Sequence, residues 1–305
     1  MRIKTEKIYF NNTKLFRVIS TAGSATKKKT KKVLNVCKDI NTLCSLWNSK
    51  ADTEIPISNF DKLVIEIIGS IYDVSRTFTA NDIAASMFAN FSQKKFSSTL
   101  IKHIEESIDK LSDIDIILDC KDEFEKRGIK YEFEHTKLLC LTKDKKQYTL
   151  LEEPILMTYA KAVSQYITLS ADTVRIDKDF SENNALINRF LLTRIMQIKN
   201  AGNYLTKPEI SYCWYDSKFK KNKGLLPYLS ISKTDYKEHY KRRVDKIHQQ
   251  VLIIMNSYVT KDIIKSYKTI YKNELPQKIT IELGRKNVAA SKKKCGRKAE
   301  KSGSS

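Results

Sequence analysis

The stretch KTDYKEHYKRRVDKIHQQVLIIMNSY (233–258) constrains this chain more than any other part of it. Its apolar residues, Tyr236, Tyr240, Val244, Ile247, Val251, Ile254 and Tyr258, are separated by steps of 4, 4, 3, 4, 3 and 4. That spacing keeps them on one face of a helix with 3.6 residues per turn and fits no strand period. Ser232 or Thr234 offers a capping hydroxyl, and no Gly or Pro interrupts the run. One stripe must therefore pack on a core. Lys237, Lys241, Arg242, Arg243 and Lys246 are left on the remaining arc, all in the first half of the helix.

The period then changes. IIKSYKTIYKN (263–273) alternates loosely, ELP interrupts it, and KITIEL (278–283) alternates strictly. Two strands around a Pro-containing turn read as a hairpin. A helix followed by such a hairpin is the closing half of a winged helix, a fold that sets the helix in the DNA major groove and the hairpin against the flanking backbone. Lys265, Lys268, Lys272 and Lys278 supply the hairpin with cations.

Charge supports a polyanionic partner and says where it binds. The net +21 divides into +8 over residues 1–56, −3 over 57–170, +9 over 171–283 and +7 over 284–305. The lysine-rich ends, TKKKTKK (26–32) and 284–305, read as flexible basic tails able to add phosphate contacts. No apolar run reaches the ~18 residues of a membrane span, and the N-terminus lacks a signal-peptide core, so a cytoplasmic location is expected. The six cysteines form no CxxC pair and the four histidines are scattered, so the thiols are expected to be reduced and no metal or cofactor is expected.

The same pattern occurs earlier. SNFDKLVIEIIGSIYDV gives a first helix capped at Ser58 or Asn59, with Leu63, Ile67, Ile71 and Val74 facing inward. TANDIAASMFAN gives a short helix capped by Thr79, and FSQKKFSSTLIKHIEESIDKL a third with the stripe Phe96, Leu100, Ile104, Ile108 and Leu111. Alternating runs at 113–120, 129–141 and 147–153 supply the hairpins, and PILMTYAKAVSQY adds a helix with Pro154 in its first turn. The later copy opens with a helix over 184–200, stopped at Gly202, followed by KPEISYCWYD as a short helix and SKFKKNKGLLPY as a basic loop. The expected class is α+β, mainly helical: a basic, partly disordered segment over 1–56, winged helices over 57–168 and 169–283, and a disordered tail over 284–305.

From about 57 to 283 the chain resembles the twin winged-helix replication initiators of plasmids and mobile elements, especially those of Gram-positive bacteria. FDKLVIEIIGSIY, HIEESIDKLSDIDIILD, LLEEPILMTYAK and INRFLLTRIMQIKN, followed by the basic helix and hairpin, carry the resemblance through element order and spacing. It implies sequence-specific binding to repeated origin sites, a homodimer contact made by one domain, and recruitment of host replication proteins. The acidic balance of 57–170 suits the contact role and the basic later domain suits the main DNA grip.

Catalytic signatures are missing. No GxxxxGK[ST], His-x-His, GxSxG or HExxH occurs. KITIELGRK is similar to the middle motif of RuvC-type nucleases, with Glu282 and Arg285 as its counterparts, but the further strand-borne carboxylates such a site needs are not evident. The reading is a non-enzymatic binder of double-stranded DNA. Lys241, Arg242 and Lys246 are expected at the groove or phosphates, flanked by Lys237 and Arg243. Lys220, Lys221 and Lys223 are expected on the backbone from the loop, and Lys268 and Lys272 from the wing. A winged-helix transcriptional regulator is the alternative, and a RuvC-like nuclease fragment a remote one.

Overall fold

Helices and short strands are interspersed along the chain. The structure, a computed structural model, describes residues 2–19, 30–37, 40–48, 57–93, 95–129, 136–201, 208–216, 221–233 and 237–283. The class is α+β, with helices threaded between small antiparallel sheets. No helix among the described residues is long and apolar enough to cross a membrane.

The N-terminal segment contributes structure that its basic composition hides. Strand β1 (Lys7–Asn11) pairs with β9 (Tyr166–Ser170), and Ile8 and Phe10 are buried. Helix α1 (Lys14–Val18) follows, its first turn capped by the Thr13 hydroxyl accepting from the Phe16 N–H. Strands β2 (Thr30–Cys37) and β3 (Ile40–Asn48) form a hairpin that β5 (Ile114–Asp119) and β6 (Thr136–Lys137) extend in the order β2-β3-β5-β6. Residues 30–32 of the lysine-rich run lie in β2; residues 284–305 lie outside the described residues.

One series of elements is α2 (Asn59–Tyr72), β4 (Thr77–Thr79), α3 (Ala80–Met87), α4 (Ser98–Ser112), β7 (Leu141–Asp144) and β8 (Gln147–Leu150). Its sheet order is β4-β8-β7. Capping follows the sequence signals. Ser58 and Asp61 exchange side-chain and backbone hydrogen bonds at the start of α2, and Thr79 and Asp82 do the same for α3. Each reciprocal box satisfies two otherwise orphaned N–H groups. Ser97 caps α4 through the Leu100 N–H. Gly69 lets α2 approach α6 (Ile155–Ala162), since a Cβ there would fall 2.6 Å from Met157 Cγ.

The later series has the same order: α8 (Glu182–Ala201), β10 (Glu209–Ser211), α9 (Leu225–Tyr228), α10 (Tyr240–Thr260), β13 (Ser266–Lys272) and β14 (Leu275–Glu282). Its sheet order, β10-β14-β13, repeats the first. The insertions differ. Helix α5 (Lys121–Arg127) interrupts the first series and the hairpin of β11 (Trp214–Asp216) and β12 (Lys221–Lys223) the second, while α7 (Ala171–Val174) lies between the two. One continuous apolar core joins both series and the N-terminal strand.

Several expectations need correction. KPEISYCWYD is not a helix: β14 takes up its first residues as β10, burying Ile210, and its last residues form β11. Its Ile, Tyr and Trp content suits a pleated surface, and that preference prevails over the helical spacing. SKFKKNKGLLPY is not wholly a loop, since Lys221–Lys223 are strand and Leu225–Tyr228 helix. The runs at 113–120 and 147–153 enter two different sheets. Val74 lies past the end of α2 and is exposed rather than inward-facing. The wing turn is not at Pro276, which sits inside β14 opposite Tyr271. It is made by Asn273 and Glu274, both at positive φ, which is the two-residue geometry that matches strand twist. Gly202 lies outside the described residues.

Candidate nucleic-acid interface

Helix α10 begins later than its apolar spacing predicts. A short 3-10 turn (Lys237–His239) precedes it, and His239 provides no side-chain cap. Thr234 and Tyr236 lie outside the described residues. From Tyr240 onward the stripe packs as expected: Val244, Ile247, Val251, Ile254 and Tyr258 are buried, with His248 and Met255 beside them. Tyr258 is anchored against α8, its hydroxyl donating to the Asn188 side-chain oxygen at 2.5 Å.

The opposite face is solvent-facing. Arg242 and Lys246, one turn apart, are exposed and have no ion-pair or hydrogen-bond partner among the described residues. Gln249 and Ile253 continue the same strip, and Ile253 is 68% exposed. Arg243 is half-buried at the edge of the stripe. Lys241 is engaged by Glu274, across from it on the wing turn, and this carboxylate holds the Lys241 ammonium above its ordinary pKa. Lys237 belongs to the 3-10 turn.

The β13–β14 hairpin contributes unevenly. Lys268 and Lys272 on β13 are exposed and make no ion pair among the described residues. Lys265 and Lys278 are committed instead, to Glu282 at 2.6 Å and Glu209 at 2.7 Å. Lys221 and Lys223 sit on β12, opposite Asp216 and Trp214, so they belong to a separate hairpin rather than a loop. Lys220 lies outside the described residues. The structure thus brings Arg242, Lys246, Lys268 and Lys272 to the surface of α10 and the β13–β14 hairpin.

Three hydrogen-bonded side chains tie that hairpin to the helix. Buried His248 on α10 sits between two tyrosine hydroxyls, Tyr212 at 2.5 Å from Nδ1 and Tyr271 of β13 at 2.8 Å from Nε2. Burial lowers the imidazole pKa, against an opposing pull from Asp245. The sequence gives a histidine no special weight here. Its position, one residue after stripe residue Ile247, is the only signal that it would face inward.

The matching helix of the first series differs in charge. The outer residues of α4 include Glu106 and Asp109, paired with Lys102 at 3.6 Å and Lys143 at 2.7 Å. It offers no comparable run of uncommitted cations. Glu282, the nuclease-motif residue, is exposed and bonded to Lys265 and Ser266, not set among carboxylates. Among the described residues no cluster of three or more His, Cys, Asp or Glu could hold a metal. Arg285 lies outside them. Cys44, Cys120, Cys140 and Cys213 are not joined in disulfides.

No family model and no curated protein matches the chain. Among solved structures it is similar to the crystal structure of RctB domains 2-3 (RctB-155-483), at 11% identity and a TM-score of 0.36, covering 87% of this chain and 96% of that one. A second similar structure, of selenomethionine derivatives of domain 2 and domain 3 of RctB, gives 11% identity, a TM-score of 0.36 and coverage of 88% and 97%.

Proposed function

We propose that this chain is a non-enzymatic, sequence-specific binder of double-stranded DNA built from two winged helices, over 57–168 and 169–283, and that it initiates replication of a plasmid or integrated element. The observation that carries the DNA-binding part is the outer face of α10. Arg242 and Lys246 stand uncommitted opposite the buried stripe, and the wing adds Lys268 and Lys272. A helix of 21 residues is about 31 Å long and fits a major groove about 12 Å wide. The repeated order helix, strand, helix, helix, hairpin, with the first strand beside the last, supports the winged-helix reading of both series. The initiator role rests on the sequence resemblance.

Phosphate neutralisation by these cations sets affinity and salt dependence, while groups reaching base edges set the sequence read. The test is a fluorescence-anisotropy titration of the full chain against duplexes flanking its own gene, with random duplex as control, at two salt concentrations. Tight binding to one repeated fragment that survives the higher salt is the expected result, and a replicon carrying that fragment should then replicate only with the protein. Equal, salt-labile binding to every duplex would remove the reading of a specific site.

A further inference from the structure

Four residues form one strip along α10. Arg242, Lys246, Gln249 and Ile253 are spaced 4, 3 and 4 apart, so they share the face turned away from the buried stripe. The neighbouring faces are engaged. Gln250 donates to Asp179 at 3.3 Å on one side, and Asn256 accepts from the Tyr267 hydroxyl at 2.7 Å on the other. Lys241 is held by Glu274. Between these flanks the Gln249 amide has no partner among the described residues, and Ile253 is more exposed than any other large hydrophobic among them.

A singly exposed isoleucine is ordinary on a protein surface. This one continues a polar and cationic strip on the helix that carries the candidate interface, one turn beyond an uncommitted carboxamide. Those two groups match the two features that identify an A·T pair in the major groove: a carboxamide pairs with adenine N6 and N7, and an apolar side chain packs on the thymine methyl. We propose that Gln249 and Ile253 are specificity-determining residues, Gln249 reading an adenine edge and Ile253 a thymine 5-methyl group, with Arg242 and Lys246 at the preceding bases or phosphates. This inference rests on the DNA-binding reading above. Four residues of helix advance about 6 Å, so the adenine and the thymine lie within about two base steps of one another.

The probe is a duplex recovered by the full chain from a random-sequence library. Each thymine in it is replaced singly by uracil, which deletes only the methyl group, and each adenine by 7-deazaadenine, which deletes the N7 acceptor. One thymine position should weaken binding about three- to five-fold on replacement, the value of burying one methyl. That sensitivity should vanish in Ile253→Ala, and one adenine sensitivity should vanish in Gln249→Ala. Both substitutions are on the exposed face, so the variants should keep the circular-dichroism spectrum and melting temperature of the parent.

Either a duplex with no methyl-sensitive position, or one whose sensitivity is unchanged in Ile253→Ala, would overturn the assignment while leaving DNA binding intact. Recovery of no preferred duplex at all would overturn both the assignment and the reading beneath it.

Discussion

Arg189 and Glu66 form a bidentate ion pair inside the protein, with Nε 2.5 Å from Oε2 and Nη2 2.7 Å from Oε1. It joins α8 of the later series to α2 of the earlier one. Burial raises the Glu66 pKa, and Arg189 together with the Asn11 N–H, 2.8 Å from Oε1, pulls it back. Arg189 also donates to the Tyr228 hydroxyl at 3.0 Å, and the Tyr228 carbonyl accepts from Asn59 at 2.7 Å. The N-terminal strand and both series therefore share one polar network.

A buried pair of this kind is costly to break on one side only. Glu66→Ala strands a buried guanidinium and should cost about 3–5 kcal/mol in urea unfolding, whereas replacing the pair together, Glu66→Leu with Arg189→Met, should recover much of the loss. Losses below about 1 kcal/mol for the single variant would mean that the network does not hold the two series together.

His248 predicts an acid-side weakness. Its folded pKa lies below the value of about 6.5 expected of an unfolded histidine. The unfolded chain therefore binds the extra proton first, and stability falls as pH drops through the interval below about 6.5. The groups facing the imidazole are Tyr212 and Tyr271, with Asp245 favouring the charged form. The melting temperature of the parent should fall more between pH 7 and pH 5 than that of His248→Gln, which does not titrate. Parallel curves for the two proteins would contradict this.

On the proposed DNA-binding reading, Glu274 should act as a brake on the interface. It holds Lys241 and places a negative charge at the wing turn, among cations expected to meet phosphate. Glu274→Ala should bind duplex DNA several-fold more tightly and steepen the dependence of log K on log salt by about 0.9, one more phosphate contact. An unchanged slope would place Lys241 away from the backbone.

Much of α10 was legible because a buried stripe with steps of three and four has one physical solution. The cap hydroxyls of Ser58 and Thr79 were equally plain. The start of α10 was not, because Tyr240 and the cations before it suit a helix and a 3-10 turn alike. Residues 209–211 were misread because β10 exists only through β14, a partner about 70 residues away in sequence, and residues 214–216 because they pair with β12. Pro276 looked like a turn, while the turn was set by Asn273 and Glu274 adopting positive φ. On the candidate surface, charge counting picked out Arg242 and Lys246, and both are exposed. It could not show that Lys265 and Lys278 are spent on ion pairs, since that depends on which carboxylates the sheet brings alongside. Gln249 and Ile253, the residues proposed to read bases, drew no notice in the sequence because a search for cations passes over neutral groups.

The outer face of α10 is the proposed DNA grip. The most direct test is duplex binding by Arg242→Ala with Lys246→Ala, measured beside the control pair Lys102→Ala with Lys143→Ala, which removes two cations from the first series. The α10 pair should lose much of its affinity and show a salt slope shallower by about 1.8, the control should change little, and both should melt like the parent. Equal losses in the two variants, or unchanged binding in the α10 pair, would contradict that placement of the grip.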